Sequence, residues 1–108
     1  IDGESLWQAP DGEVIWKKST DRDISMVLYL NDDFEGGDFI FPDHHIRVRP
    51  EPGMLVCFPS NHHYKHGVEP VTRGMRYSIV CWATVRGFPT MDEINRDLSQ
   101  KYGILVDN

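Results

Sequence analysis

The stretch HGVEPVTRGMRYSIVCWAT, residues 66–84, decides how the rest of the chain is read. After His66-Gly67 a brief extended piece runs to Val71, and Thr72-Arg73-Gly74 turns the chain into a strong strand over residues 76–84. On such a strand Arg76, Ser78, Val80 and Trp82 share one face, and Tyr77, Ile79 and Cys81 share the other. A guanidinium on an otherwise apolar strand is costly to leave unpaired. Arg76 is therefore expected to meet a carboxylate, either a protein side chain or a bound dicarboxylic acid. Ser78 is placed to add a hydroxyl to the same ligand. His66, ten residues before Arg76, sets a metal-type ligand across one turn from that cation.

Upstream, residues 13–84 read as short β segments at close spacing, the pattern of a sandwich or barrel rather than of βαβ units. Candidate strands cover residues 14–17, 24–31, 39–41, 46–49 and 54–58. The run over 24–31 is apolar almost throughout, which predicts a central strand buried on both faces. Asn31-Asp32-Asp33 and Glu35-Gly36-Gly37-Asp38 supply turn chemistry. Residues 60–66, polar and rich in histidine, read as a loop or strand end. Beyond Gly87-Phe88-Pro89, Thr90 and Glu93 have capping-box spacing, and Met91, Ile94, Leu98 and Tyr102 recur on one helical face before Gly103. About seven strands and one helix make most of a double-stranded β-helix, the jelly-roll, cupin-like barrel. The expected division is one partial domain, with the barrel over residues 1–87 and the helix and tail over 88–108. Helices preceding the chain are expected to cover the sheet.

With 108 residues, 40% of them hydrophobic, the chain has material for one modest core. A formal charge of −6 argues against a nucleic-acid partner, because phosphate binding needs clustered Lys and Arg that carboxylates do not outnumber. The longest apolar run, residues 26–30, is too short to cross a bilayer, so no membrane partner is expected. Cys57 and Cys81 sit inside apolar runs and read as two free core thiols. The chain opens Ile1-Asp2-Gly3 without methionine, so the start of the gene product is expected to lie upstream.

Several of these pieces, in this order, resemble the catalytic domain of iron(II)- and 2-oxoglutarate-dependent oxygenases of the prolyl-hydroxylase type. They are Arg22-Asp23-Ile24-Ser25, Val27-Leu28-Tyr29-Leu30-Asn31, Phe34-Glu35-Gly36-Gly37-Asp38-Phe39, Pro52-Gly53, Phe58-Pro59-Ser60, His66-Gly67-Val68 and Gly74-Met75-Arg76-Tyr77-Ser78, over roughly residues 20–85. In that family two histidines and a carboxylate hold iron, leaving positions open for cosubstrate and oxygen. The resemblance implies that His66 is the distal histidine and that Arg76, with Ser78, holds 2-oxoglutarate. The early His-x-Asp motif is not present as such. Asp2 stands where a histidine one position before Ile1 would complete it, so Asp2 is the expected carboxylate ligand. Fe(II) and 2-oxoglutarate are the implied cofactor and cosubstrate, and ascorbate is a further cofactor candidate. The implied reaction inserts one oxygen atom of O2 into a C–H bond of a peptide, protein or small-molecule substrate, with a peptidyl residue such as proline the leading choice. The other oxygen atom goes to 2-oxoglutarate, giving succinate and CO2.

Two other readings stand beside this one. A jelly-roll module lacking a full iron triad would bind without turnover. Alternatively, His62, His63 and His66 would form a zinc or other metal site of cupin type, although Pro59 and Gly67 argue against a helix that would align them. His44 and His45 read as surface residues, Trp7 and Trp16 as packing over the barrel opening, and the Asp32, Asp33, Glu35 and Asp38 cluster as a solvated hairpin tip rather than a calcium loop.

Overall fold

The computed structural model describes residues 3–107. In chain order its strands are β1 (Glu4–Gln8), β2 (Val14–Lys18), β3 (Ile24–Tyr29), β4 (Phe34–Gly36), β5 (Phe39–Phe41), β6 (Ile46–Val48), β7 (Leu55–Pro59), β8 (Gly67–Val68), β9 (Val71–Gly74) and β10 (Ser78–Ala83). They are followed by the helix α1 (Met91–Tyr102). The larger of two facing sheets has the order β10-β3-β7 and the smaller has β6-β5-β8, with every pairing antiparallel. Two ribbons, β1-β2 and β4-β9, extend from them. This mainly β architecture with one C-terminal helix is the expected class.

The core forms where the two sheets face each other. Alternation along β3 turns Ser25, Val27 and Tyr29 inward, and all three are buried. Phe58 of β7 joins them from the same sheet, while Phe39 and Phe41 of β5 come from the opposite one. The phenyl rings of Phe41 and Phe58 meet edge to face at 5.2 Å, and Phe39 tilts against both at 5.2 and 5.6 Å. Each such pair contributes about 0.5–1.5 kcal/mol beyond its buried area.

Three departures from the sequence reading have physical reasons. Residues 4–8 and 34–36 are strands that the pattern did not mark, and residues 71–74 continue as a strand where a turn was expected. In β4, tertiary pairing overrides a glycine-rich, turn-like composition. Gly36 adopts φ +76° at a register shift, its missing side chain leaving room for the Pro70 carbonyl. The Arg49 guanidinium donates to the carbonyls of Phe34 and Gly36 at 2.5 Å each. The third departure concerns the thiols: Cys57 and Cys81 are exposed, not buried. They pair across Met26 on the outer face of the larger sheet, where Leu55 and Ile79 are also exposed. A continuous apolar run cannot show which of its faces is covered.

Helix α1 starts and stops where its caps dictate. Thr90 Oγ1 accepts from the Glu93 N–H, the Glu93 carboxylate accepts from the Thr90 N–H, and Gly103 ends the helix in the left-handed region. Tyr102 packs on Trp7 at 5.7 Å. Polar contacts complete the docking of this C-terminal segment. Lys17 Nζ donates to Asn95 Oδ1 at 2.9 Å, and Lys18 Nζ donates to Asp23 at 2.6 Å and to the Pro89 carbonyl at 2.9 Å. Burial tends to raise the Asp23 pKa. The hydrogen bonds from Lys18 and the Val85 N–H, together with the Lys18 charge, outweigh that and hold it below the usual carboxylate value. For Lys17, burial pushes the ammonium pKa down against the opposing pull of Asp107. The described helix is not long and apolar enough to cross a membrane.

Candidate active site

Between the facing sheets lies a cavity of about 180 Å³, and Arg76, Ser78, Val80 and Trp82 form one wall of it. Three of these lie on β10 and Arg76 stands just before it, so a single period of two delivers all four. Ser25 and Val27 of β3 continue that wall, and Phe39, Phe58, His66 and Val68 complete the enclosure. His66, Arg76 and Ser78, singled out from their spacing, therefore line one cavity.

His66 is held by its surroundings. Its ring stacks on Phe39 at 5.3 Å and is flanked by Phe58 at 4.6 Å. Nδ1 lies 3.1 Å from the Tyr64 carbonyl, which accepts only if Nδ1 carries the proton. That tautomer puts the ring's lone pair on Nε2. A backbone carbonyl fixing one ring nitrogen so that the other can ligate is the usual support for a metal-bound histidine.

At the other end of the site, the Arg76 guanidinium sits 5.8 Å from the centre of the Tyr29 ring. Tyr29 lies directly across from Ser78 in the β3–β10 register and is fully buried. Its hydroxyl meets no partner at hydrogen-bonding geometry among the described residues. Burial pushes this phenol's pKa up, and the nearby Arg76 offsets part of the rise. A guanidinium and a serine hydroxyl lining one cavity, with a buried phenol beside the guanidinium, fit a bound carboxylate. The sequence reading does not single out Tyr29, because the apolar run over residues 24–31 predicts burial on both faces and marks no residue in it. Pairing residue 29 against residue 78 is the signal that would have found it.

At the rim, Arg22 covers the Trp82 ring at 3.8 Å. Asp2 lies outside the described residues. Its neighbour Gly3 is pressed against backbone: a Cβ there would overlap the Ser60 carbonyl and come within 2.7 Å of that of Arg22.

The zinc arrangement is not assembled. The His62 ring stacks on Trp16 at 5.1 Å, and Glu4 accepts from both its backbone N–H and its Nδ1. His63 is exposed, and His66 alone of the three lines the cavity. Among the described residues no three His, Cys, Asp or Glu side chains gather as a metal-holding group. His44 packs on Tyr64 and reaches the His63 carbonyl at 2.7 Å. Asp38 of the acidic cluster is committed to Arg47 and Arg49.

Comparison with known proteins identifies a family for the chain. A family model described as the 2OG-Fe(II) oxygenase superfamily matches residues 10–84. The chain is 36% identical over 99 residues to prolyl 3-hydroxylase 2 of Rattus norvegicus, which covers 84% of this chain and 13% of the relative. It is 45% identical over 83 residues to prolyl 3-hydroxylase 3 of Homo sapiens, covering 69% of this chain and 11% of the relative. Over 71 residues it is 44% identical to human prolyl 3-hydroxylase 1, or 61% of this chain and 10% of the relative. The match thus spans a small part of each curated relative's length. Over most of its own length, however, the chain belongs to the 2OG-Fe(II) oxygenase superfamily.

Proposed function

We propose that this domain is the iron- and 2-oxoglutarate-binding core of a dioxygenase that hydroxylates a peptidyl residue, with proline the leading substrate. The observation that carries the reading is the convergence of His66, Arg76 and Ser78 on one cavity, with the ring of Tyr29 beside the Arg76 guanidinium. In this reading His66 and Asp2 contribute ligands to Fe(II). Arg76 takes the far carboxylate of 2-oxoglutarate as a charge-assisted pair, with hydroxyls from Ser78 and Tyr29 completing its hydrogen bonds. Phe39 and Phe58 keep the His66 ring oriented and exclude water from that side. Iron, when bound, supplies the activation of O2 that couples oxidation of 2-oxoglutarate to succinate and CO2 with hydroxylation of the substrate C–H bond. The prolyl substrate is suggested by the names of the relatives.

The test is succinate formation by the full-length protein under air, with and without Fe(II), comparing wild type with His66→Ala. Iron-dependent turnover that the substitution abolishes is expected. Absence of turnover, together with absence of metal-dependent 2-oxoglutarate binding by calorimetry, would leave the non-catalytic binding module. The companion variant Arg76→Ala is expected to weaken 2-oxoglutarate binding by about a hundredfold or more with the fold intact. Unchanged affinity would remove Arg76 from its role as anchor.

A further inference from the structure

We infer that the groove between β2, the end of β7 and α1 is a second substrate subsite. It takes the extended, proline-containing segment flanking the residue lodged in the cavity. The inference rests on the oxygenase reading proposed above and deepens it.

The groove has a volume of about 290 Å³, larger than the cavity beside His66, and two side-chain contacts join their linings. One is a buried wall, the Ser60 hydroxyl against that of Ser25 at 2.7 Å, with Ser60 lining the groove and Ser25 the cavity. The other is the rim, where Arg22 of the groove lies over Trp82 of the cavity. A chain leaving the cavity past Trp82 crosses Arg22 and enters the groove.

The chemistry of the groove favours a neutral, apolar, extended occupant. Trp16, Pro59, Phe88, Pro89, Ile94 and Leu98 supply apolar walls. Its charges are largely matched within the fold: Lys18 binds Asp23, and Glu4 binds His62. No single-sign field is offered to an anion. Aromatic-walled grooves accept proline-rich segments because such chains are pre-extended and lose little conformational entropy on binding. Phe88 stands at the groove's edge with 55% of its surface exposed, a large apolar side chain open to an occupant.

The experiment uses the full-length protein and two fluorescein-labelled peptides. One is a long proline-rich peptide with the acceptor proline at its centre, and the other is that proline with its immediate neighbours and capped ends. Fluorescence anisotropy gives Kd for wild type, Phe88→Ala and Phe88→Leu. The long peptide is expected to bind Phe88→Ala about tenfold more weakly than wild type, with Phe88→Leu recovering most of the loss. The short peptide should bind all three proteins alike. Equal affinity of wild type and Phe88→Ala for the long peptide overturns the inference. Equal losses for both peptides, or no binding of the long peptide by wild type, do so too. Failure of the oxygenase reading appears in a different measurement, as absence of iron-dependent succinate formation by wild type, and is distinguishable from length-independent binding.

Discussion

The space between the two sheets has a filled end and an open end. At the filled end Phe39, Phe41, Phe58 and Tyr29 close around one another, each no more than 7% exposed. At the open end Val80 and Trp82 face the same interior yet remain 48% and 38% exposed. The difference does not lie along the strands, because Trp82, Ser25 and Phe58 stand in one row of the register and Val80, Val27 and Val56 in the next. It lies across the sheet, whose order β10-β3-β7 makes β10 an edge strand. Rings therefore fill the interior on one side and leave the side toward β10 as a cavity with polar groups at its edge. The same alternation in sequence produces a core in one place and a site in the other.

The largest expected effect tests that division directly. Phe58→Ala at the filled end should cost about 3–5 kcal/mol, because it removes a ring contacting Phe39, Phe41 and His66 and leaves a void among them. Val80→Ala at the open end should cost about 1 kcal/mol or less, since half its surface is already in solvent. Urea unfolding of both variants makes the comparison, and similar costs would mean that the cavity closes in solution.

Next in size is the latch that joins the main sheet to the C-terminal segment. Asp23→Ala strips Lys18 of a buried partner and the Val85 N–H of its acceptor, with an expected cost of about 3 kcal/mol. The pH dependence has a definite sign. The folded-state pKa of Asp23 is depressed, so the stability it contributes is fully present above its unfolded value, about 4, and is lost as pH falls through the lower folded value. Thermal melts below pH 4 should show the wild type losing this increment while Asp23→Ala has none to lose. Parallel curves for the two proteins would remove the pair from the stability balance.

What was legible in the sequence follows the same logic of local against distant causes. The helix could be read to its ends because Thr90, Glu93 and Gly103 act within a few residues of themselves. The grouping of Arg76, Ser78 and Trp82 was readable because a strand's period fixes the face that its residues share. Phe34–Gly36 could not be read as a strand, since its partner β9 and its carbonyl clamp Arg49 are remote and its own residues favour turns. Tyr29 was hidden for a related reason: its importance lies in the residue it faces across the sheet.

Tyr29→Phe sharpens the boundary between core and site with an effect of about 1 kcal/mol in each direction. Without 2-oxoglutarate, deleting a buried hydroxyl that has no partner among the described residues should leave stability unchanged or raise it by about 1 kcal/mol. With 2-oxoglutarate, the lost hydrogen bond should weaken binding by about tenfold. Calorimetric titration and thermal melts read the two effects separately. A destabilised variant with unchanged affinity would place Tyr29 wholly in the core.

The smallest effect belongs to the opposite side of the larger sheet, whose inward face carries both core and site. Ile79, Leu28 and Leu55 form one cross-strand row on the outer face, and Cys81, Met26 and Cys57 form the next. Both thiols are exposed there, so a disulfide-exchange reagent should label Cys57 and Cys81 in the native protein at rates near that of a free thiol, without prior unfolding. Cys57→Ser and Cys81→Ser should each change stability by no more than about 0.5 kcal/mol, because an exposed position leaves little to lose. In the full-length protein the same labelling reports whether another segment lies over this face. Protection of both thiols that disappears only on global unfolding would show the apolar rows to be covered there. The outer face would then be a second packing surface, and only the inner one would remain partly open.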